Sequence, residues 1–481
     1  MAIDSKLMYG TYVYPFPSSP TNPNRGDIGT ISYDNGVPSL TVHKGVRTTY
    51  SSTDSTVIAP DPKPLYFKNG AGLNRAAVAS ISWSGTVATC TWLVYDADAD
   101  ESPSTTAPFW GDPVAGPVVL TIGGKNVTNP YALRTRQVAP GIVDMYCIDY
   151  DGKFIFRVRS SGPSGDVYTV QNGYYEFAGV NGNDSFGVDL EITDDYIYAL
   201  FINGTNLSAG APTANYLNST VVKLDFGLGT PPLAYVGPYT STTTGSGFPA
   251  KNAFSIQAYG SDLILTAVGG PQHGGATGGQ WNPDSRIQKI NQGTLVVTDL
   301  LRAAANSAEP PEDQYDFRAL SFSSDGSVAF ILLGVFDSGW VMDWHLYATN
   351  MTTITGASNA LLSSLSPAPT EVGFTNGEDG YYWATWFSEG TGKTWLARGN
   401  DFAIFDSSTL VVDVSGIGAI STFSVGDFPG LNFATIYEGE VAPTPRALKG
   451  YVAPAFASNT AQAMLEREKF FKEVAAAKAK K

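Results

Sequence analysis

From about residue 7 to residue 440 the chain alternates between short runs of apolar–polar alternation and brief clusters of Gly, Asp, Asn and Ser. A period of two marks strands with one face buried, and the polar clusters mark the turns between them. Ile287-Gln288-Lys289-Ile290, Asn291-Gln292-Gly293 and Thr294-Leu295-Val296-Val297 spell a strand, a turn and a second strand. The same order returns at 345–355 and 402–412, which spaces the turn-following threonines Thr294, Thr352 and Thr409 by 58 and 57 residues. Looser copies at 221–225, 167–172, 118–122 and 31–36 bring the number to seven. A second hairpin precedes each copy. Its turns are Ser323-Ser324-Asp325-Gly326, Tyr259-Gly260-Ser261-Asp262, Asp149-Tyr150-Asp151-Gly152 and Asn376-Gly377-Glu378-Asp379-Gly380. Gly and Asp there supply the positive φ that tight hairpins need.

Four strands per unit, seven times over, at a period of roughly 50 to 66 residues, resembles the β-propeller superfamily. The resemblance covers about residues 8–440 and implies an all-β fold, a seven-bladed β-propeller, with six or eight blades as the alternatives. No Trp-Asp repeat, Kelch glycine pair or repeated Asp-box narrows it to one family. The first copy lies too near the N-terminus to own four strands, so strands at 7–14 and 30–42 are expected to be completed by late ones at 420–425 and 432–437. Residues 48–74 read as a Ser-, Pro- and Thr-rich insertion. The domains are then a propeller over 1–440, a Pro-containing linker over 441–458 and a basic amphipathic C-terminal helix over 459–481.

Composition supports the strand reading: 51 Gly, 30 Pro, 25 Tyr, 25 Phe and 9 Trp in 481 residues, against 15% charged. A net charge of −15 argues against a nucleic-acid partner, and no apolar run is long enough to span a membrane. The chain opens Met1-Ala2-Ile3-Asp4-Ser5 without the pattern of a signal peptide. Its acidic, Thr- and Asn-rich character still points to an extracellular, periplasmic or cell-surface location. Cys90 and Cys147 sit in apolar runs, as buried thiols or a disulfide between neighbouring strands. The tail helix carries six basic and three acidic residues. Phe470, Phe471, Lys472 and Lys478 are its partner-binding or self-association candidates.

Long connections concentrate on one face of a propeller, and loops on a rigid scaffold are where sites gather. The ligand-binding candidates there are His273, Gln280, Trp281 and Asn282 in a Gly-rich loop, with Trp340, Trp344 and Tyr216, whose flat rings suit stacking on sugars or a protein partner. Three His in the whole chain are too few for a His-cluster metal site. Asp96, Asp98 and Asp100 repeat carboxylates at every second position without an EF-hand's central Gly, so calcium is the only cofactor the sequence offers. Asp337 with Asp343, and Glu309 with Glu312 and Asp313, are the carboxylate sets a glycosidase would use. With no nucleophile elbow or catalytic triad, the first expectation is a binding or assembly protein, leaning away from an enzyme. The alternatives are a carbohydrate-active enzyme (glycosidase or lyase) and a structural subunit of a filament, surface layer or virion.

Overall fold

The computed structural model describes residues 5–13, 28–34, 37–43, 56–58, 65–84, 87–97, 114–150, 152–177, 185–203, 218–237, 247–269, 284–305, 308–309, 313–336, 342–372, 382–388, 392–398, 401–408, 410, 412–415 and 429–438. They form an all-β fold of antiparallel sheets. In one sheet β1 (Ser5–Val13), β2 (Ile28–Asp34) and β3 (Val37–His43) make a meander, and β31 (Pro429–Glu438) pairs with β1. In the next, β4 (Thr56–Ile58) and β5 (Leu65–Lys68) lie along successive halves of β6 (Asn74–Ser84), followed by β7 (Val87–Asp96) and β8 (Ala115–Val119). A small hairpin, β9 (Thr121–Ile122) with β10 (Lys125–Asn126), follows.

Five further meanders take four strands each in chain order. They are β11 (Pro130–Ala139), β12 (Ile142–Asp149), β13 (Phe154–Ser161) and β14 (Val167–Glu176); β15 (Ser185–Ile192), β16 (Ile197–Asn203), β17 (Ser219–Leu224) and β18 (Ala234–Val236); β19 (Ala253–Tyr259), β20 (Asp262–Ala267), β21 (Arg286–Asn291) and β22 (Val297–Arg302). Then come β23 (Asp316–Phe322), β24 (Ala329–Phe336), β25 (Met342–Thr349) and β26 (Thr370–Glu371); and β27 (Tyr382–Ser388), β28 (Lys393–Arg398), β29 (Asp401–Asp406) and β30 (Val412–Ser415). First strands neighbour one another: β5 with β11, β11 with β15, β15 with β19, β23 with β27, and β31 with both β27 and β5. This is the arrangement of a β-propeller, whose core lies between sheet faces. Trp92 packs on Phe156 with centroids 5.9 Å apart, and Phe177 stacks on Phe201 at 4.6 Å.

Backbone groups at the sheet junctions have recurring partners. The Ser219 hydroxyl oxygen accepts from the Ala253 N–H at 3.0 Å, and Ser285 Oγ accepts from the Phe317 N–H at 2.8 Å. Ser219 opens β17 and Ser285 stands just before β21, and each ties the start of its third strand to the first strand of the following sheet. An unmet N–H at such a buried junction would cost about 1–3 kcal/mol.

Several expectations are corrected. Asp149 and Gly152 join the second and third strands of their sheet, so that turn lies at the opposite end from the hairpin turns it was grouped with. Residues 48–74 are not wholly an insertion, since they contain β4 and β5. Of the two late donors, β31 pairs with β1, whereas 420–425 and the turn at 376–380 lie outside the described residues. Long connections also occur away from the expected face, at 97–114 and 350–369.

The copy at 345–355 is the clearest departure, because its second strand is replaced by α1 (Met351–Gly356). In three of the other copies a leucine after the turn sits at positive φ: Leu228 at 57°, Leu295 at 56° and Leu410 at 59°. Asn291 Oδ1 accepts from the N–H groups of Gly293 and Thr294, and the Leu295 N–H donates to Asn291 O at 2.8 Å. Asn350 begins identically, with Oδ1 accepting from Thr353 N and the Ile354 N–H donating to Asn350 O. Ile354 is β-branched, and a β-branched residue at positive φ is strongly disfavoured. The chain therefore continues as a helical turn and buries Ile354.

Candidate active site

The site is built from the first strands. Each of six skips one residue in its register with its partner, which leaves a bulge at Tyr131, Val188, Phe254, Arg318, Trp383 and Ala434. A bulge twists the strand and re-aims the side chains after it. The residue after the bulge is small in most sheets: Ala132, Ser255, Ala319 and Ala384. In β15 it is Asp189.

These strands are terminal in their sheets, so the edge away from the partner strand carries backbone groups that need other partners. Side chains from the preceding sheet provide them. Asp189 Oδ2 accepts from the Ile256 N–H on β19 at 3.0 Å. Gln257 Nε2 donates to Leu320 O on β23 at 3.1 Å, whereas between β23 and β27 two side chains meet each other, the Ser321 and Thr385 hydroxyls at 3.3 Å. Asp189 is the ionisable member of this series.

Two more charges converge on it. Arg134 on β11 donates from Nη2 to Asp189 Oδ1 at 3.2 Å, and its Nε lies 3.5 Å from Glu191 Oε2. The side chains of all three are between 5% and 7% exposed. Burial is the leading cause that pushes the Asp189 carboxyl up to about 6, and repulsion from Glu191 adds to it. Arg134 and the N–H groups of Ile256 and Leu190 pull the other way without cancelling the burial. One guanidinium thus holds two carboxylates, one of which titrates near neutrality. Paired carboxyls in unequal environments are the requirement for acid–base work, with one giving a proton while the other stays ionised.

The carboxylates expected from sequence do other things. Glu309 forms a two-point pair with Arg302 at 2.8 and 3.0 Å, and Asp313 is buried against Ser363 and Tyr315. Both are structural ties. Glu312 and Asp337 lie outside the described residues, and Asp343 lies on β25 with its side chain outside them. His273, Gln280, Trp281, Asn282, Trp340 and Tyr216 also lie outside, as do Asp98, Asp100 and the tail with Phe470, Phe471, Lys472 and Lys478. Trp344 stands on β25, its side chain outside the described set. Asp96 ends β7 and pairs with Arg75 at 3.1 Å. Among the described residues there is no group of three or more His, Cys, Asp or Glu placed to hold a metal, and no helix long and apolar enough to cross a membrane. Cys90 and Cys147 are both buried free thiols, and burial pushes both up.

No family model matches the chain, and no curated protein matches it in sequence. Among solved structures it is similar to a periplasmic gluconolactonase of Pseudomonas aeruginosa, with 13% identity, 85% of this chain and 95% of that chain covered, and a TM-score of 0.41. An α-L-arabinofuranosidase of Fusarium graminearum follows at 11% identity, 74% and 94% coverage and a TM-score of 0.40. A puromycin hydrolase gives 10% identity, 77% and 49% coverage and a TM-score of 0.42. Likenesses at this level transfer no residue roles. The three are named as enzymes, against the first expectation of a binding or assembly protein, which is set aside.

Proposed function

We propose that the chain is a hydrolase of the carbohydrate-active class, working at the inner edge of a closed ring of seven blades in which β31 completes the sheet begun by β1. The observation that carries this reading is the Asp189–Arg134–Glu191 group, above all the carboxyl of Asp189 raised to about 6. Asp189 is the general acid, protonated at mildly acidic pH and able to give its proton to a leaving oxygen. Glu191, 3.5 Å from the Arg134 Nε, is the partner carboxylate that activates water or meets the developing positive charge at the sugar. The departure of Asp189 from a position otherwise held by Ala, Ser or Thr supports the assignment, because side chains that break a local pattern concentrate at functional sites.

On this reading Trp281, Trp340, Trp344 and Tyr216 are sugar-stacking residues of the loop face, and His273, Gln280 and Asn282 are their polar companions. The acidic, lightly charged composition supports work outside the cytoplasm. The test is turnover of aryl glycosides and polysaccharides by the full chain and by Asp189→Asn and Glu191→Gln. The expected result is hydrolysis of at least one glycoside, lowered by about 10²–10⁴-fold in Asp189→Asn. Absence of turnover on the whole panel, or an Asp189→Asn protein as fast as the parent, overturns the reading.

A further inference from the structure

The Ile256 N–H that meets Asp189 belongs to a short stretch of β19 braced by one side chain. Ser255 and Gln257 flank Ile256 and, because side chains alternate along a strand, share the face that Ile256 does not. Ile256 itself packs into the apolar cluster of Val188, Leu200, Leu263 and Leu265. Gln257 Nε2 donates to Ser255 Oγ at 2.9 Å and to Leu320 O on β23 at 3.1 Å. One amide group thus joins the residues on either side of Ile256 and fastens that stretch of β19 to the next first strand. Ser255 and Gln257 are 4% and 6% exposed, so both bonds are shielded from water. The same register, three residues past the bulge, holds Arg134 on β11, Glu191 on β15 and Ser321 on β23, so polar side chains at one level link successive first strands.

We infer that Gln257 is a positioning residue for Asp189: by tying β19 to β23 it fixes where the Ile256 N–H stands, and with it the grip of that N–H on the carboxylate. The charged groups that act on Asp189 are Arg134 from β11 and Glu191 on its own strand, and β19 contributes the Ile256 N–H, which favours the ionised form. A β19 released from β23 loosens that bond, which raises the Asp189 carboxyl further and lets it drift from the line of proton delivery. The effect on turnover rests on the hydrolase reading. The effect on the ionisation of Asp189 does not.

The experiment is carboxyl-resolved NMR titration of Asp189 in the full chain, beside kcat and KM for an aryl glycoside, in the parent, Gln257→Met, Ser255→Ala and Thr385→Val. Methionine keeps the length of glutamine and removes its donors, and alanine is the residue of the Ser255 register in β11, β23 and β27. Thr385→Val breaks the contact between β23 and β27 without touching β19. In Gln257→Met the Asp189 midpoint should rise above that of the parent, and kcat should fall about tenfold with KM within about twofold. Ser255→Ala should move the midpoint the same way by less, and Thr385→Val should leave it in place. A midpoint unmoved in Gln257→Met, or moved as far by Thr385→Val, overturns the inference. If Gln257→Met does not fold, an unmoved midpoint in Ser255→Ala overturns it. A parent without turnover overturns the hydrolase reading alone, and the midpoints still decide the role of Gln257.

Discussion

Two buried ionic groups sit on first strands of this molecule, and they behave differently. On β15 two carboxylates, Asp189 and Glu191, share the guanidinium of Arg134 brought in from β11. On β23 one carboxylate, Asp316, meets one guanidinium, Arg318, at 2.7 Å on the same strand. Both groups are removed from water, which penalises the charged form of every member. Burial accordingly lowers the Arg318 pKa, and Asp316 pulls it back up. In the β15 group the surplus carboxylate absorbs the penalty by holding a proton to about pH 6. The difference teaches that burial leads in both groups but acts on a different member: it raises the carboxyl of Asp189, with repulsion from Glu191 adding to it, and lowers the guanidinium of Arg318.

The largest effect that would break this comparison is catalytic. Asp189→Asn should remove a glycosidase rate limb that falls as pH rises through about 6, with the loss of about 10²–10⁴-fold at mildly acidic pH. Asp316→Asn should leave the shape of that pH–rate profile as it is. If both substitutions flatten the profile alike, the β15 group has no special role.

Stability comes next. Arg134→Leu strands two buried carboxylates and should cost about 3–5 kcal/mol in urea unfolding at pH 7. The loss should shrink at pH 5, where Asp189 is mostly protonated. Asp316→Leu combined with Arg318→Met should be close to neutral, because both charges leave together, whereas Asp316→Leu alone should cost about 3 kcal/mol or more. Equal losses for the single and double variants would mean that the β23 pair is held by more than its own charges.

A finer test uses linkage. Asp189 has a folded value of about 6, above the ordinary 3.8, so the native state binds more protons than the unfolded one between those values. Its contribution is therefore most favourable below about pH 4, falls as pH rises to 6 and is constant above. Stability measured across this window should decline less in Asp189→Asn than in the parent. The smallest effect belongs to Glu191→Gln. Removing that neighbouring charge should move the Asp189 midpoint below 6, readable by carboxyl-resolved NMR titration, and an unmoved midpoint would show that Glu191 does not act on Asp189.

The turn at 291–295 was legible because Asn, Gly and a following leucine dictate a local geometry that needs no partner elsewhere. Its cousin at 350–354 was misread as a strand although it begins with the same asparagine bond. One β-branched residue, Ile354, diverts it, a steric rule visible in the sequence to a reader who knows which position must turn left-handed. The candidate site was harder to see. Loop carboxylates such as Glu309 and Asp313 drew attention through clustering, yet they hold Arg302, Ser363 and Tyr315 in place. Asp189 carried a signal of its own, a charge in a register of Ala132, Ser255, Ala319 and Ala384. That register becomes readable once the bulges at Tyr131, Val188, Phe254, Arg318 and Trp383 align the strands.

The alternation of apolar and polar positions and the turn residues were enough to determine strands, hairpins and the repeated four-strand unit, since side-chain period and positive φ act over a few neighbouring residues. Only the tertiary structure decided which side chains meet. Arg134 and Asp189 lie 55 positions apart in sequence and come within 3.2 Å because β11 and β15 stand side by side. Burial and charge from separate sheets then set the protonation of Asp189. That is a long-range property, and no local pattern of residues encodes it.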